Sequence, residues 1–309
     1  MTRRAEPPAR IVVLGTPMTL GLARVDPARV PGVAGLPRAL RAAGLLAALE
    51  AIDLGDLPAP TDYRHERDPR TGIRNLPPVL AHTRRIAEAL GEPLARGDVP
   101  LLLGGDCSVL LGALLALRRR GRCGLLHLDG HTDFYPPELS ASGQVAAMEL
   151  WIATGGSPAG QADFDGLAPL VAPRDAVLVG HRDHAERARC GAPDPAEHLL
   201  LALPCEQVRR EGAAALAARA VAALAARGID GFWLHFDADV LDDRVLPAVD
   251  TREPGGLSHA EVGAFLCAAT ASGRLRGLSL TIFDPTLDPT GSMALDLVAT
   301  LAAGLRPPA

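Results

Sequence analysis

The chain is expected to fold as a three-layer α/β/α protein, α/β in class, on a mainly parallel sheet of about eight strands. Three observations carry that expectation. Short apolar runs alternate with longer alanine- and leucine-rich stretches along the chain. The short runs are apolar throughout, the pattern of strands covered on both faces. No stretch is rich enough in Gly, Ser or Pro to act as a linker, so a single domain over 1–309 is expected.

The elements follow in order. "IVVLG" at 11–15 reads as the first strand, followed by a helix near 37–49 and a second strand, "AIDLG", at 51–55. A helix near 77–96 leads to "VPLLLGG" at 99–105, and a helix near 108–119 to "GLLHLD" at 124–129. "AVLVG" at 176–180 and "HLLLAL" near 198–203 come next, then one long helix near 206–227 and "GFWLHFD" at 231–237. A helix near 258–272 and "LSLTIFD" at 278–284 complete the series. The proline-bearing segments near 193 and at 63–78 read as surface or rim loops. In such sheets ligands bind beyond the carboxyl ends of the strands, so polar residues there are the functional candidates.

Composition narrows the classes. With 48% hydrophobic residues the chain can bury a large core, and a net charge of -5 with pI near 6.0 offers no basic footprint for nucleic acid or an anionic membrane. Every basic residue is arginine, which we read as compositional bias of the source. "MTRRAEPPAR" is too polar for a secretory signal and no apolar run reaches membrane-span length, so a cytoplasmic location is expected. The five cysteines are scattered and lack CxxC spacing, which argues against a disulfide framework or a zinc knuckle. Cys123, Cys190, Cys205 and Cys267 read as small buried residues; Cys107 stands apart. The glycines of "LGGDCSVLLG" follow neither dinucleotide nor P-loop spacing, and no lysine exists to serve a Walker motif.

Three strand ends are informative. They are "LLLGGDCS", with Asp106, Cys107 and Ser108; "HLDGHTD", with Asp129, His131 and Asp133; and "HFDADVLDD", with Asp237, Asp239 and Asp242. Alternate residues of an extended segment point the same way, so Asp129, His131 and Asp133 share a face, as do Asp237 and Asp239. If the two strands are close, four carboxylates and an imidazole converge and must protonate or gain cations. Two divalent metals, roughly 3.5–4 Å apart, are the economical solution. Carboxylates with one imidazole suit Mn²⁺. A single such aspartate could be a helix cap; two alternate-residue clusters favour the metal reading.

These residues resemble the ureohydrolase superfamily of arginase, agmatinase and formiminoglutamase. Its GGDHS, DAHxD and DxDxxDP motifs stand here, in order, as GGDCS at 104–108, DGHTD at 129–133 and DADVLDD at 237–243, and the likeness runs from "AIDLGD" at 51–56 to "IFDPTLDP" at 282–289. The resemblance implies an arginase-like fold, a binuclear manganese centre that activates water against a guanidinium or amidine carbon, a small-molecule substrate, and a homo-oligomer, trimer or hexamer. By position, Asp129, His131 and Asp237 fall at the catalytic centre. Asp129 and Asp237 bridge the metals, His131 and Asp239 complete one site, and Cys107 and Asp133 the other.

The chain departs from the pattern in one direction. Cys107 replaces a histidine ligand; as a thiolate it would tilt one site toward zinc or another thiophilic ion, and as a buried thiol it would leave that site weaker. Ala146 falls where the family has its proton-shuttling histidine. Ala185 replaces a carboxylate that binds an α-amino group, with His184 and Glu186 beside the gap as substitutes. Ile282 replaces the glutamate that steers the guanidinium. Ser142 is kept, and Tyr135 takes the place of an asparagine. Tyr135, Ser142, His184 and Glu186 are therefore the candidate substrate-binding residues. The expected activity is a metal-dependent hydrolysis of a linear C–N bond in a guanidino, amidino or ureido compound, a hydroxyguanidine for example, rather than plain arginase action. The rival is an arginase-fold metal-binding or regulatory protein without catalysis.

His127 and His235 share the ligands' parity two residues deeper, and read as core histidines hydrogen-bonded to a neighbour or as supports of the aspartates. His65, His82, His181, His198 and His259 read as loop or helix-surface residues. Arg70 and Arg74, beside His65 in a polar loop, read as solvated charges, with contact to a substrate carboxylate as the sharper alternative.

Overall fold

The computed structural model describes residues 10–24, 26, 28–156 and 164–305. All but the last residue of the polar N-terminal stretch lies outside them. Among the described residues eight strands form one sheet: β1 (Ile11–Thr16), β2 (Ile52–Asp56), β3 (Val99–Gly104), β4 (Gly124–Leu128), β5 (Ala176–Val179), β6 (Leu201–Leu203), β7 (Phe232–Asp237) and β8 (Leu275–Thr281). Their order across the sheet is β2-β1-β3-β8-β7-β4-β5-β6, and every pairing is parallel. The fold is three-layer α/β/α, as the sequence leads one to expect.

Strand alternation builds the two outer layers. On β3, β4 and β7, Leu101, Leu103, Leu126, Leu128, Phe232, Leu234 and Phe236 face one core. That core is closed by helices at Leu36–Ala42, Leu45–Leu49, Cys205–Glu211, Ala213–Ala226, His259–Thr270 and Ser292–Leu305. Leu102, Leu125 and Trp233 face the other, under helices at Leu76–Ala95, Val109–Arg118 and Glu149–Ala153. The second face is also where His127, His235, Ser279 and Thr281 point by parity, so a polar seam runs along it toward the strand ends. No helix among the described residues is long and apolar enough to cross a membrane.

The elements differ from expectation in physically simple ways. β2 is the sheet edge, paired on one side only and largely exposed, and its carboxylates Asp53 and Asp56 reach out to Arg41. The helix expected near 37–49 breaks at Gly44 (φ 89°), and the one near 206–227 breaks at Gly212 (φ 89°), where glycine enters the left half of φ space at no steric cost. Residues 195–198 form a helical turn, so β6 begins only at Leu201. β8 starts at Leu275 and stops at Thr281, before the "FD" at 283–284. The helix Ser292–Leu305 was not anticipated; Leu297 and Leu301, four apart, lie in the core and make it the outer partner of His259–Thr270.

Candidate metal centre

Register brings the motifs together. His127 pairs with His235 and Leu128 with Phe236, so the next residues, Asp129 and Asp237, come abreast, and Asp237 pairs in turn with Thr281. β3 lies on the far side of β8 and delivers Cys107 into the same space. The GG of the first motif serves close approach: a Cβ on Gly105 would lie 1.8 Å from the Met18 carbonyl oxygen. Asp106 accepts from the Gly21 and Ser108 amides and pins the loop after β1. Gly130 stands where the motif has alanine; a Cβ there would lie 2.4 Å from Arg182 Nη1 and 2.7 Å from the Asp239 carbonyl.

The centre itself is tightly built. Asp129 Oδ1 accepts from the His131 amide (2.6 Å) and Asp237 Oδ1 from the Asp239 amide (2.8 Å). His131 Nδ1 lies 2.8 Å from Asp239 Oδ2, and the Cys107 thiol donates to Asp237 Oδ2 (2.6 Å) with Thr281 Oγ1 at 3.1 Å. Asp133 has φ 42°, a left-handed backbone uncommon for a residue other than glycine. Burial, reinforced by neighbouring carboxylates, pushes Asp133, Asp237 and Glu149 well above the usual carboxylate range. Burial also works on the His131–Asp239 pair, but their mutual attraction wins: Asp239 is held low and His131 is pushed up to about 10. Five buried carboxyl groups surround one imidazole, so the cluster must either hold protons or gain cations.

The least satisfied oxygens show where. Both oxygens of Glu149 are buried without a hydrogen-bond partner, and Asp129 Oδ2 is buried with His127 Nε2 beside it at 3.1 Å. Candidate ligand atoms of Asp129, His131 and Asp239 lie within 4.8 Å of one another; so do those of His127, Asp129, Asp133 and Glu149, and those of Cys107, Asp129, Glu149 and His235. Unpaired buried carboxylate oxygens are costly and are what a divalent cation satisfies, so this donor set fits the metals that the resemblance implies.

A pocket of about 330 Å³ opens over the cluster, lined among others by His131, Asp133, Asp237, Asp239 and Ile282. Tyr135, Ser142, Ala146 and Glu186 also line it; His184 does not, being exposed and edge-on to His181 at 5.2 Å. The Tyr135 hydroxyl donates to Asp183 Oδ2 (2.8 Å), which also accepts from the Thr132 amide and hydroxyl. Arg74 Nε donates to the Ser142 carbonyl (2.8 Å), so this arginine braces the pocket wall instead of standing in solvent. Arg70 is exposed beside Asp68, and His65 is exposed outside the pocket. Asp242 turns away to accept from the Gly255 and Arg244 amides.

Several single residues depart from expectation. His82 and His181 are buried, not on the surface: His82 faces the core from the same side of its helix as Val79 and Ile86, and His181 sits directly behind β5. Cys190 and Cys267 are only half-buried, and Cys190 lines the pocket with its thiol toward Glu186. His127 and His235 combine both readings: the rings stack at 4.8 Å, His235 Nδ1 meets Ser279 Oγ at 2.8 Å, and His127 Nε2 lies 3.1 Å from Asp129 Oδ2. Sequence reasoning missed Glu149. Its signal was available, a lone carboxylate inside the apolar run "VAAMELWIA". It also passed over Asp183, whose part in orienting Tyr135 depends on contacts that spacing does not reveal.

A wholly parallel α/β/α sheet whose central strand ends gather buried carboxylates and imidazoles under a pocket defines the ureohydrolase class. Comparison with known proteins agrees. The family model described as "Arginase family" matches residues 9–305, and the chain belongs to the arginase family. Its relatives include the arginase of Brucella melitensis, 31% identical over 310 residues covering 94% of this chain and 94% of that protein. The arginase of Bacillus caldovelox is 30% identical over 302 residues, covering 94% and 97%. The solved structure of the B. caldovelox arginase superposes with a TM-score of 0.83 at 27% identity, covering 97% of this chain and 99% of that one.

Proposed function

We propose that the protein is a metal-dependent hydrolase of a linear C–N bond in a guanidino, amidino or ureido compound less basic than arginine, a hydroxyguanidine among them. The observation that carries the reading is the register match that sets Asp129 beside Asp237, a carboxylate that lines the pocket. Asp129, His131, Asp133, Asp237 and Asp239, with Cys107 at the position of the family's histidine, are the residues that would hold two Mn²⁺ ions. Such ions, when bound, polarise the carbon under attack and lower the pKa of water to the range where hydroxide forms near neutrality.

The chain's own groups do the rest. His131, oriented by Asp239, fixes the mouth of the centre. Asp183 locks Tyr135 against the pocket wall, and Arg74 holds the segment that presents Ser142. Ser142, Tyr135, His184 and Glu186 are the proposed substrate-binding residues; of these His184 would have to swing inward to take part. The relatives bear the name arginase. What separates this chain from them, in our reading, is apolar replacement at the points of cation recognition and proton delivery: Ile282 and Ala146 line the pocket, and Ala185 stands where an α-amino group would meet a carboxylate. A weakly basic substrate, whose leaving group needs less protonation, suits such a pocket. The reading extends, on family likeness, to a single domain and a cytoplasmic trimer or hexamer. Replacing Asp239 by Asn tests the chemistry: turnover of the responsive guanidino compound disappears while circular dichroism and melting stay near wild type. Full activity in that variant would refute it.

A further inference from the structure

Glu149 is fully buried, lies outside the three motifs, and has both carboxylate oxygens without a hydrogen-bond partner. Its place is not accidental. The turn Val145–Ala147 runs straight into the short helix Glu149–Ala153, and the Trp151 amide donates to the Asp133 carbonyl (3.2 Å), which ties this segment to the strand end that carries the cluster. The side chain arrives among candidate ligand atoms of His127, Asp129 and Asp133, all within 4.8 Å of one another, and on its other side among those of Cys107, Asp129 and His235. His127 Nε2 is 3.6 Å from Glu149 Oε1. A carboxylate in so apolar a stretch, unpaired, carries a heavy desolvation cost that a cation would offset.

Cys107, by contrast, is already satisfied. Its sulfur faces Asp237 Oδ2 at 2.6 Å and Thr281 Oγ1 at 3.1 Å, a hydrogen-bonding position between two oxygens. We propose that Glu149, not Cys107, supplies the ligand lost with the first motif's histidine, so that the more buried cation is held by oxygen from Asp129, Asp133 and Glu149. The proposal rests on the metal-dependent reading above and deepens it. It also predicts the ion: a site without a thiolate, built mainly of carboxylate oxygen, selects Mn²⁺ or Mg²⁺ over thiophilic metals, the opposite of what a cysteine ligand implies.

The test uses the full chain, stripped of metal and equilibrated with Mn²⁺ alone, with bound ions counted by elemental analysis and folding followed by circular dichroism. Wild type and Cys107→Ser take up two ions per chain; Glu149→Gln keeps one, or binds the second about a hundredfold more weakly. Adding Cys107→His to Glu149→Gln brings the second ion back. Co²⁺-loaded wild type, which needs no variant to fold, shows no thiolate-to-cobalt charge-transfer absorption. Unchanged uptake in Glu149→Gln, or a thiolate band in the wild type, overturns the assignment of Glu149 while leaving the hydrolase reading intact. A wild type that takes up no ion overturns both.

Discussion

At Ile282 the backbone takes φ 71°, a conformation that costs a β-branched residue roughly 1–3 kcal/mol. The strain is held by its amide, which donates to the Gly105 carbonyl at 2.8 Å, and by its burial at the pocket floor. The side chain lines the pocket, and it is apolar. Ile282→Glu is therefore expected to raise kcat/KM for a cationic guanidinium compound at least about tenfold relative to a neutral ureido one, one lost or gained charge contact being worth more than 1.4 kcal/mol. Competition between the two substrates checks it; an unchanged ratio removes Ile282 from specificity. A second single-residue effect belongs to His82. Both ring nitrogens are buried without partners, and burial, with Arg85 adding to it, pushes its pKa from 6.5 down to about 4. The unfolded chain thus binds the extra proton between those values. The contribution is intact above pH 6.5 and is lost as pH falls toward 4, by about 3 kcal/mol in all. His82→Leu should flatten the fall in Tm between pH 7 and 4.5 relative to wild type; parallel curves would contradict the assignment.

Elements hold the site by a few fixed joints. Asp175, fully buried just ahead of β5, accepts two hydrogen bonds from Arg122 at the entry to β4 (2.6 and 2.7 Å) and one from Arg227 beyond Ala213–Ala226 (2.7 Å). Although burial alone would raise its pKa, these guanidiniums hold it below the usual value. Asp175→Asn removes the charge from this joint and is expected to cost about 2 kcal/mol, the arginines being half-exposed and free to rehydrate, so Tm falls several degrees at pH 7. The difference from wild type shrinks as pH drops through the carboxyl's depressed pKa, because protonation breaks the same joint. At this scale the strands of the sheet interior were legible, since runs such as "GLLHLD" and "GFWLHFD" are apolar on both faces and end in carboxylates. The strand at 51–55 was legible as a strand but not as an exposed one: it lies at the edge, where pairing on one side only leaves Asp53 and Asp56 outside, which no local pattern announces. Helix breaks at Gly44 and Gly212 were hidden for a related reason: glycine is tolerated inside a helix as well as between two, and packing decides. Glu149 escaped notice because its neighbours Asp133 and His127 are remote in sequence.

Across the whole molecule, two hydrophobic cores clamp the sheet and leave its polar seam, His127, His235, Ser279 and Thr281, to rise between them into the cluster. The order β3-β8-β7-β4 is what makes distant motifs neighbours: segments around 107, 129, 237 and 282 meet only because β8 and β7 insert between β3 and β4. At this meeting point, we propose, metal-dependent C–N hydrolysis takes place. Its most direct test is release of urea or hydroxyurea from a panel of guanidino compounds by the chelator-stripped protein, before and after Mn²⁺ is restored, with bound ions counted in the same samples. The expected result is no turnover in the stripped protein and recovery as two ions per chain rebind, fastest on a weakly basic substrate. Two ions bound with no turnover on any compound would contradict it and leave a metal-binding protein without catalysis.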